Sequence, residues 1–153
     1  MILDSLLEFS DAQAVTSTAV STNIVDLGPV VDNALRDIGT GERMFLIVTT
    51  NTAATDSGSD ATLAVTLESD STANLATSPT VHLSTGALAF AAFSAAGSVV
   101  FAGPLPAGLY EQYLGVRYTV ASGPLTAGAF DAFLTKDPQV YRAYAKRYIA
   151  ING

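Results

Sequence analysis

The sequence predicts an all-β protein, a two-sheet antiparallel β-sandwich of jelly-roll type with N- and C-terminal arms. Three observations favour this class: short segments alternate between apolar and polar residues, turn-rich stretches separate them, and helical periodicity is scarce. The 153 residues suffice for one domain with a buried core, and a charged fraction of only 14% argues against disorder. About eight short strands with irregular connections are typical of a jelly roll.

Four segments have the clearest strand patterns. Residues 113–121 and 61–68 alternate in polarity, and residues 128–134 carry Gly128, Phe130, Ala132 and Leu134 on one predicted face. Residues 44–50 (MFLIVTT) are apolar at consecutive positions, which predicts a central strand covered on both faces. Weaker candidates are residues 15–20, 24–27, 80–83 and 98–102. In the strand over 113–121, the predicted core face consists of Leu114, Val116, Tyr118 and Val120.

The two ends of the chain differ from its middle. Leu3, Leu6 and Leu7 are spaced as on one face of a helical turn. Asp137-Pro138 forms a good N-cap and N1 pair, and tyrosines follow it at helical spacing. We therefore divide the chain into an N-terminal arm (1–11), a jelly-roll domain (12–136) and a C-terminal basic and aromatic tail (137–153).

These arms carry the residues that we expect to contact another chain. Tyrosine beside arginine is favoured at protein interfaces. The alternative is that the arm side chains pack back onto the domain's own sandwich. The expected partner-binding residues are Leu3, Leu6, Leu7, Tyr141, Arg142, Tyr144, Arg147 and Tyr148.

The charge is negative overall and unevenly placed. The net charge is −7, a sign that repels phosphate backbones and argues against nucleic acid as a partner. Residues 1–135 hold 13 acidic and three basic residues, whereas residues 136–153 hold four basic residues and one acidic residue. A basic tail on an acidic body indicates either docking on an acidic surface or a solvated tail.

Neither secretion nor membrane insertion is indicated. Residues 1–10 lack a basic region, and Asp4 and Glu8 interrupt their apolar stretch, so we expect no signal peptide. The longest apolar run, residues 87–93, is too short to span a bilayer. Cysteine is absent, which excludes disulfides and thiolate metal sites.

No residue pattern predicts catalysis or a bound cofactor. His82 is the sole histidine, too few for a cupin metal site, and no GxSxG motif provides a serine nucleophile for it. The acidic residues are scattered, and the glycines do not form a phosphate-binding loop. The acidic segment from Asp56 to Asp60 is the one metal candidate, but the twelfth position of an EF-hand loop would be Leu67. We therefore expect no enzyme activity, no cofactor and no metal, with cation binding at 56–60 left open against a plain polar turn.

Several segments, in the same order along the chain, resemble capsid cement (decoration) proteins of short-tailed bacteriophages. They are LLEFSDAQAVTSTAVSTNIVDLG (6–28), RDIG (36–39), TDSGSDATLAVTLESD (55–70), SPTV (78–81) and YLGVRYTVASGPLTAGAFDAFLTKD (113–137). None of these segments is a chemical motif, so the likeness depends on their succession. Residues 29–35 and 146–153 depart from the family pattern.

The resemblance implies a jelly-roll protein that binds the outer surface of an assembled phage capsid and cements neighbouring major capsid protein subunits. It implies that the protein is made in the host cytoplasm and resides in the virion. The expected partners are the major capsid protein and the protein itself, with a dimer favoured over a trimer, and neither nucleic acid nor a membrane. An alternative is a carbohydrate-binding, receptor-binding jelly roll of a phage particle.

Overall fold

A computed structural model describes residues 3–29 and 43–141. Over these ranges the chain forms ten β-strands and three 3₁₀ helices. The 3₁₀ helices are Ser5–Leu7, Phe90–Ala92 and Gln139–Tyr141. The strands are β1 (Glu8–Ala14), β2 (Ala19–Val20), β3 (Val25–Asp26), β4 (Phe45–Thr55), β5 (Thr62–Asp70), β6 (Thr80–Ser84), β7 (Leu88–Ala89), β8 (Val99–Pro104), β9 (Tyr113–Ala121) and β10 (Ala127–Thr135).

The strands form two antiparallel sheets. Sheet A has the order β1-β10-β4-β8, and sheet B has the order β2-β9-β5-β6, with β3 also pairing with β9 and β7 with β5. The predicted two-sheet antiparallel sandwich is confirmed, whereas its jelly-roll type stays a prediction. The described residues include no helix long and apolar enough to cross a membrane.

Aromatic side chains fill the centre of the core between the sheets. Tyr118 of β9 stacks on Phe130 of β10 with ring centroids 5.6 Å apart. The ring centroids of Phe93 and Phe130 are 6.3 Å apart. The Tyr118 hydroxyl donates a hydrogen bond of 3.0 Å to Ser10 Oγ in β1. This buried hydroxyl therefore has a partner, and it links the two sheets across the core.

Strand β4 is apolar on both faces because both faces are covered. Leu46 and Val48 belong to the main core, whereas Phe45 and Ile47 form a second cluster with Phe133 of β10. This arrangement confirms the prediction of a central strand over residues 44–50.

Strand β1 lies partly inside the segment expected to be an arm. Glu8 pairs with Phe133 of β10, and Phe9 is fully buried in the main core. The pairing register shifts twice, and Ala12 has a φ of 45°, so the polar and apolar residues do not alternate as in a regular strand. The strand therefore begins before residue 12, where the sandwich domain was expected to start.

A loop over residues 71–79 covers the outer face of sheet B. Asp70 has no exposed surface, and its carboxylate accepts hydrogen bonds from the backbone N–H groups of Thr72, Thr77 and Ser78. Leu75 of this loop is fully buried, and its side chain lies over Gly115 of β9. The loop is thus fixed to the sheet by both polar and apolar contacts.

Candidate partner-binding surface

The N-terminal turn, residues 3–7, presents apolar side chains to solvent. Asp4 caps the 3₁₀ helix Ser5–Leu7, since its Oδ1 accepts a hydrogen bond of 3.0 Å from the Leu6 backbone N–H. This cap fixes the direction of the turn. Leu6 is 79% exposed and Leu3 is 42% exposed, whereas Leu7 packs against the main core. The turn is therefore anchored by Leu7 and exposes the other two leucines.

A cleft of about 320 Å³ lies between this turn and the end of β10. Apolar side chains and charged groups share its lining, which consists of Asp4, Leu7, Met44, Leu134, Thr135, Lys136 and Asp137. Leu7 comes from the N-terminal turn, and Asp137 comes from the start of the C-terminal tail. The structure thus brings the bases of the two predicted arms together at one end of the sandwich.

The C-terminal tail begins with the predicted cap. Asp137 Oδ1 accepts a hydrogen bond of 3.1 Å from the Gln139 backbone N–H at the start of the 3₁₀ helix Gln139–Tyr141. The Tyr141 ring packs edge-on against Phe133, with ring centroids 5.6 Å apart. Tyr141 therefore contacts its own sandwich in the way that the alternative interpretation describes. The other expected tail contacts, Arg142, Tyr144, Arg147 and Tyr148, lie outside the described residues.

His82 of β6 belongs to a polar cluster that sequence reasoning did not detect. Its Nε2 lies 2.7 Å from Ser69 Oγ in β5, and its ring stacks on Tyr110 with centroids 4.1 Å apart. Ser69 is fully buried and its Oγ also accepts a hydrogen bond from the Glu111 backbone N–H. This buried hydroxyl therefore joins β5 to β6 and to the backbone at Glu111.

Burial controls the ionisation of the two rings in this cluster. Burial lowers the pKa of His82 below 6.5, and this effect outweighs the Glu111 carboxylate, which favours the charged imidazolium. Burial also raises the pKa of Tyr110 to about 12. Both rings are therefore neutral near pH 7.

The segment from Asp56 to Asp60 is an acidic turn held by its own backbone. Asp56 Oδ2 accepts hydrogen bonds of 2.9 and 3.0 Å from the N–H groups of Asp60 and Ala61. The bond from Ala61 is the largest cause that lowers the pKa of Asp56. Across residues 3–29 and 43–141, no group of three or more His, Cys, Asp or Glu side chains could hold a metal ion.

A polar pair on the outer face of sheet B was also not predicted. Arg117 Nε donates to Glu68 Oε2 at 2.8 Å, and one terminal nitrogen of Arg117 donates to the Leu75 carbonyl oxygen at 2.7 Å. The predicted core face of Leu114, Val116, Tyr118 and Val120 leaves Arg117 on the opposite face of the strand, as observed, but the sequence carries no signal for its partner 49 residues away. Its role is to join β9, β5 and the loop over 71–79.

A protein-family model described as Bbp16 matches residues 9–134. The chain belongs to the Bbp16 family. The Bbp16 match begins in β1 and ends in β10, so it spans the sandwich. The N-terminal turn and the tail from residue 137 lie outside it. No curated protein matches the chain.

Proposed function

We propose that this Bbp16-family protein is a structural virion protein that binds the outer surface of an assembled phage capsid. In this role it cements neighbouring major capsid protein subunits and stabilises the shell against internal DNA pressure. The proposal includes self-association, with a dimer favoured over a trimer. Its basis in sequence is the resemblance to capsid cement proteins, whose segments extend over nearly the same residues as the Bbp16 match.

The observation that carries the proposal is the N-terminal turn. Its exposed residues Leu3 and Leu6 directly precede Asp4 and Leu7 in the sequence, and Asp4 and Leu7 help to line a cleft of mixed apolar and charged character. Neighbouring exposed apolar side chains that form one patch are a feature of protein-binding surfaces. Because Leu7 fixes the turn to the core, this surface is preorganised for binding, which reduces the entropic cost of association.

The strand order supports a jelly roll. If β2 and β3 are counted as one strand, and β6 and β7 as another, residues 3–29 and 43–141 form eight strands, as expected for this fold. In this numbering one sheet has the order 1-8-3-6 and the other 2-7-4-5. Successive strands then alternate between the sheets, except for the fourth and fifth, which form a hairpin in sheet B. We infer that the sandwich is a jelly roll on this basis.

The mechanism is mass action. A protein that binds the assembled shell but not the free subunits shifts the equilibrium towards the shell. Symmetry-related copies add their effects, so each contact needs only a standard-size interface. The surface charge fits this location, since residues 3–29 and 43–141 contain 11 acidic and three basic residues. That balance disfavours contact with packaged DNA and suits the outside of the particle.

The test is binding of the purified protein to undecorated capsids, measured by co-sedimentation, with a Leu3→Ser, Leu6→Ser double variant. Burial of the Leu3 and Leu6 side chains together should contribute about 2–3 kcal/mol to the binding free energy of each copy. The double variant should therefore bind roughly 30- to 150-fold more weakly. Leu109→Ser is the matched control, since Leu109 is 61% exposed and does not line the cleft.

Two results would count against the proposal in different ways. If the double variant bound as tightly as wild type, the N-terminal turn would not be the contact surface. If wild-type protein failed to bind intact capsids, the cement function itself would be wrong. In that case binding to glycan arrays would test the carbohydrate-binding alternative.

A further inference from the structure

Three separate segments of the chain meet at His82. Strand β6 provides His82, the neighbouring strand β5 provides Ser69, and the loop over residues 105–112 provides Tyr110 and Glu111. The Glu111 backbone N–H donates to Ser69 Oγ at 3.0 Å, and Ser69 Oγ lies 2.7 Å from His82 Nε2. The Tyr110 ring covers the imidazole at 4.1 Å. Ser69 thus links the edge strand to the loop.

The Ser69 hydroxyl has a single hydrogen, and this determines which atom donates in its hydrogen bonds with Glu111 and His82. A serine hydroxyl has one hydrogen to donate, and Ser69 Oγ already accepts the Glu111 N–H. Among the described residues, His82 Nε2 is the acceptor available to that hydrogen. Ser69 is fully buried, so a hydrogen left without an acceptor would be costly. Neutral His82 therefore accepts at Nε2 and carries its proton on Nδ1.

We propose that Ser69, His82 and Glu111 form an acid-opened latch that holds the loop over residues 105–112 against the edge of sheet B. Protonation of His82 places a hydrogen on Nε2. Two N–H donors then point at Ser69 Oγ, and the Ser69 hydrogen loses its acceptor. The contact that joins the loop to β5 and β6 weakens as a result.

Few charges act on this latch. The Glu111 carboxylate favours the protonated ring, and it is held by a hydrogen bond of 3.1 Å from Thr80 Oγ1 in β6. Burial of the imidazole opposes protonation and outweighs that carboxylate. The latch is therefore closed at neutral pH and opens as the solution becomes acidic.

Opening the latch changes an exposed part of the surface. Leu109, next to Tyr110, is 61% exposed, and Val81, next to His82, is 53% exposed. Among the described strands, β6 lies at the end of the order given for sheet B. Acid thus alters the position of two apolar side chains and the edge of the sheet. This inference does not depend on what the protein binds.

Nuclear magnetic resonance tests the latch directly, because His82 is the sole histidine of the chain. At pH 7.5 the ring nitrogen shifts should show an unprotonated Nε2 and a protonated Nδ1. Between pH 7.5 and pH 5 the hydrogen-exchange protection factor of the Glu111 amide, corrected for intrinsic exchange, should fall. This protection factor should fall by up to about tenfold for each pH unit by which closure of the latch lowers the pKa of His82.

His82→Gln is the matched control. The glutamine side-chain oxygen can accept from Ser69 but does not titrate, so Glu111 protection should remain constant between these two pH values. Ser69→Ala removes the link, and Glu111 protection should be low at both. A proton on Nε2 at pH 7.5, or equal acid-induced loss of protection in wild type and His82→Gln, would overturn the proposal.

Discussion

At the scale of single residues, polar side chains determine how the outer face of sheet B is covered. Glu68 is nearly buried, and it accepts hydrogen bonds from Arg117 at 2.8 Å and from Thr66 at 2.6 Å. Arg117 also bonds to the carbonyl of Leu75, which lies in the loop over residues 71–79. The planar guanidinium can serve both acceptors in fixed directions, which a lysine ammonium cannot do equally well. This pair positions the loop as well as the strands.

Arg117→Lys should therefore lower the free energy of unfolding by about 1–2 kcal/mol, because one of the two charge-assisted hydrogen bonds is lost. Urea denaturation monitored by circular dichroism measures the change. Arg43→Lys is the control, since Arg43 is exposed and should change stability by less than about 0.5 kcal/mol. Equal stability of the Arg117 variant and wild type would show that the arginine geometry is unimportant.

Asp70 makes the stability of the protein depend on acid. Burial alone would raise the Asp70 pKa, but hydrogen bonds from Thr77, Ser78 and Thr72 outweigh it and lower the pKa below 3.8. Because the folded-state pKa lies below the unfolded value, the carboxylate stabilises the protein above pH 3.8. This stabilisation is lost as the pH falls through the folded-state pKa.

We expect Asp70→Asn to reduce the melting temperature at pH 6, because an amide NH₂ group would face backbone N–H donors. The same variant should lose less further stability than wild type between about pH 4 and pH 2.5. Thermal melts across this range, with Asp11→Asn at an exposed position as control, measure both effects. Parallel curves for wild type and the Asp70 variant would exclude this role.

At the scale of elements, the N-terminal turn has two distinct faces. Leu7 packs on the main core, whereas Leu6 is 79% exposed one residue earlier. Strand β1 follows at once and buries Phe9 completely. Truncation of the chain as far as residue 9 would therefore remove part of the core, and the surface function must be tested by substitutions within residues 3–6.

Leu7→Ala should destabilise the fold by about 1–3 kcal/mol, because it removes partly buried methyl groups from the core. Leu6→Ala should alter stability by less than about 0.5 kcal/mol, since that side chain is largely in solvent. Urea denaturation of the two variants gives the comparison. Equal losses would mean that the turn packs as a unit and that Leu6 is not a free surface group.

The sequence pattern located regular elements better than irregular ones. Residues 113–121 alternate over their whole length and form β9 with those bounds. The candidate over 15–20 reduces to β2, Ala19–Val20, while Val15 is buried outside any strand. Strand β1 escaped detection because Ala12 adopts a positive φ, with its N–H bonded to Asp131 Oδ1, and this bulge disrupts the alternation.

The candidate surface was only partly predictable for a related reason. The helical spacing of Leu3, Leu6 and Leu7 predicted a turn, and the 3₁₀ helix Ser5–Leu7 lies there. Which leucine faces the core depends on the pairing of β1 with β10, a contact between chain ends that local pattern does not encode. The Ser69–His82 contact likewise depends on the register shift between β5 and β6.

At the scale of the whole molecule, we propose that many copies of the protein attach to the outside of a phage shell. The Bbp16 match spans the sandwich, and the exposed residues Leu3 and Leu6 lie just before the matched range. The proposed contact residues therefore lie outside the part of the chain that the family model matches, and function resides in sites placed on folds. Copy number and position on the particle distinguish a cement protein from a receptor-binding one.

Electron cryomicroscopy of the particle, with and without this protein, measures both quantities. We predict sandwich-shaped density on the outer surface at hundreds of copies, with the N-terminal turn facing the major capsid protein. Particles that lack the protein, or carry the Leu3→Ser, Leu6→Ser variant, should lose that density and release DNA at lower temperature. Density at only a few sites, density inside the shell, or no density at all would show that the protein does not act as a capsid cement.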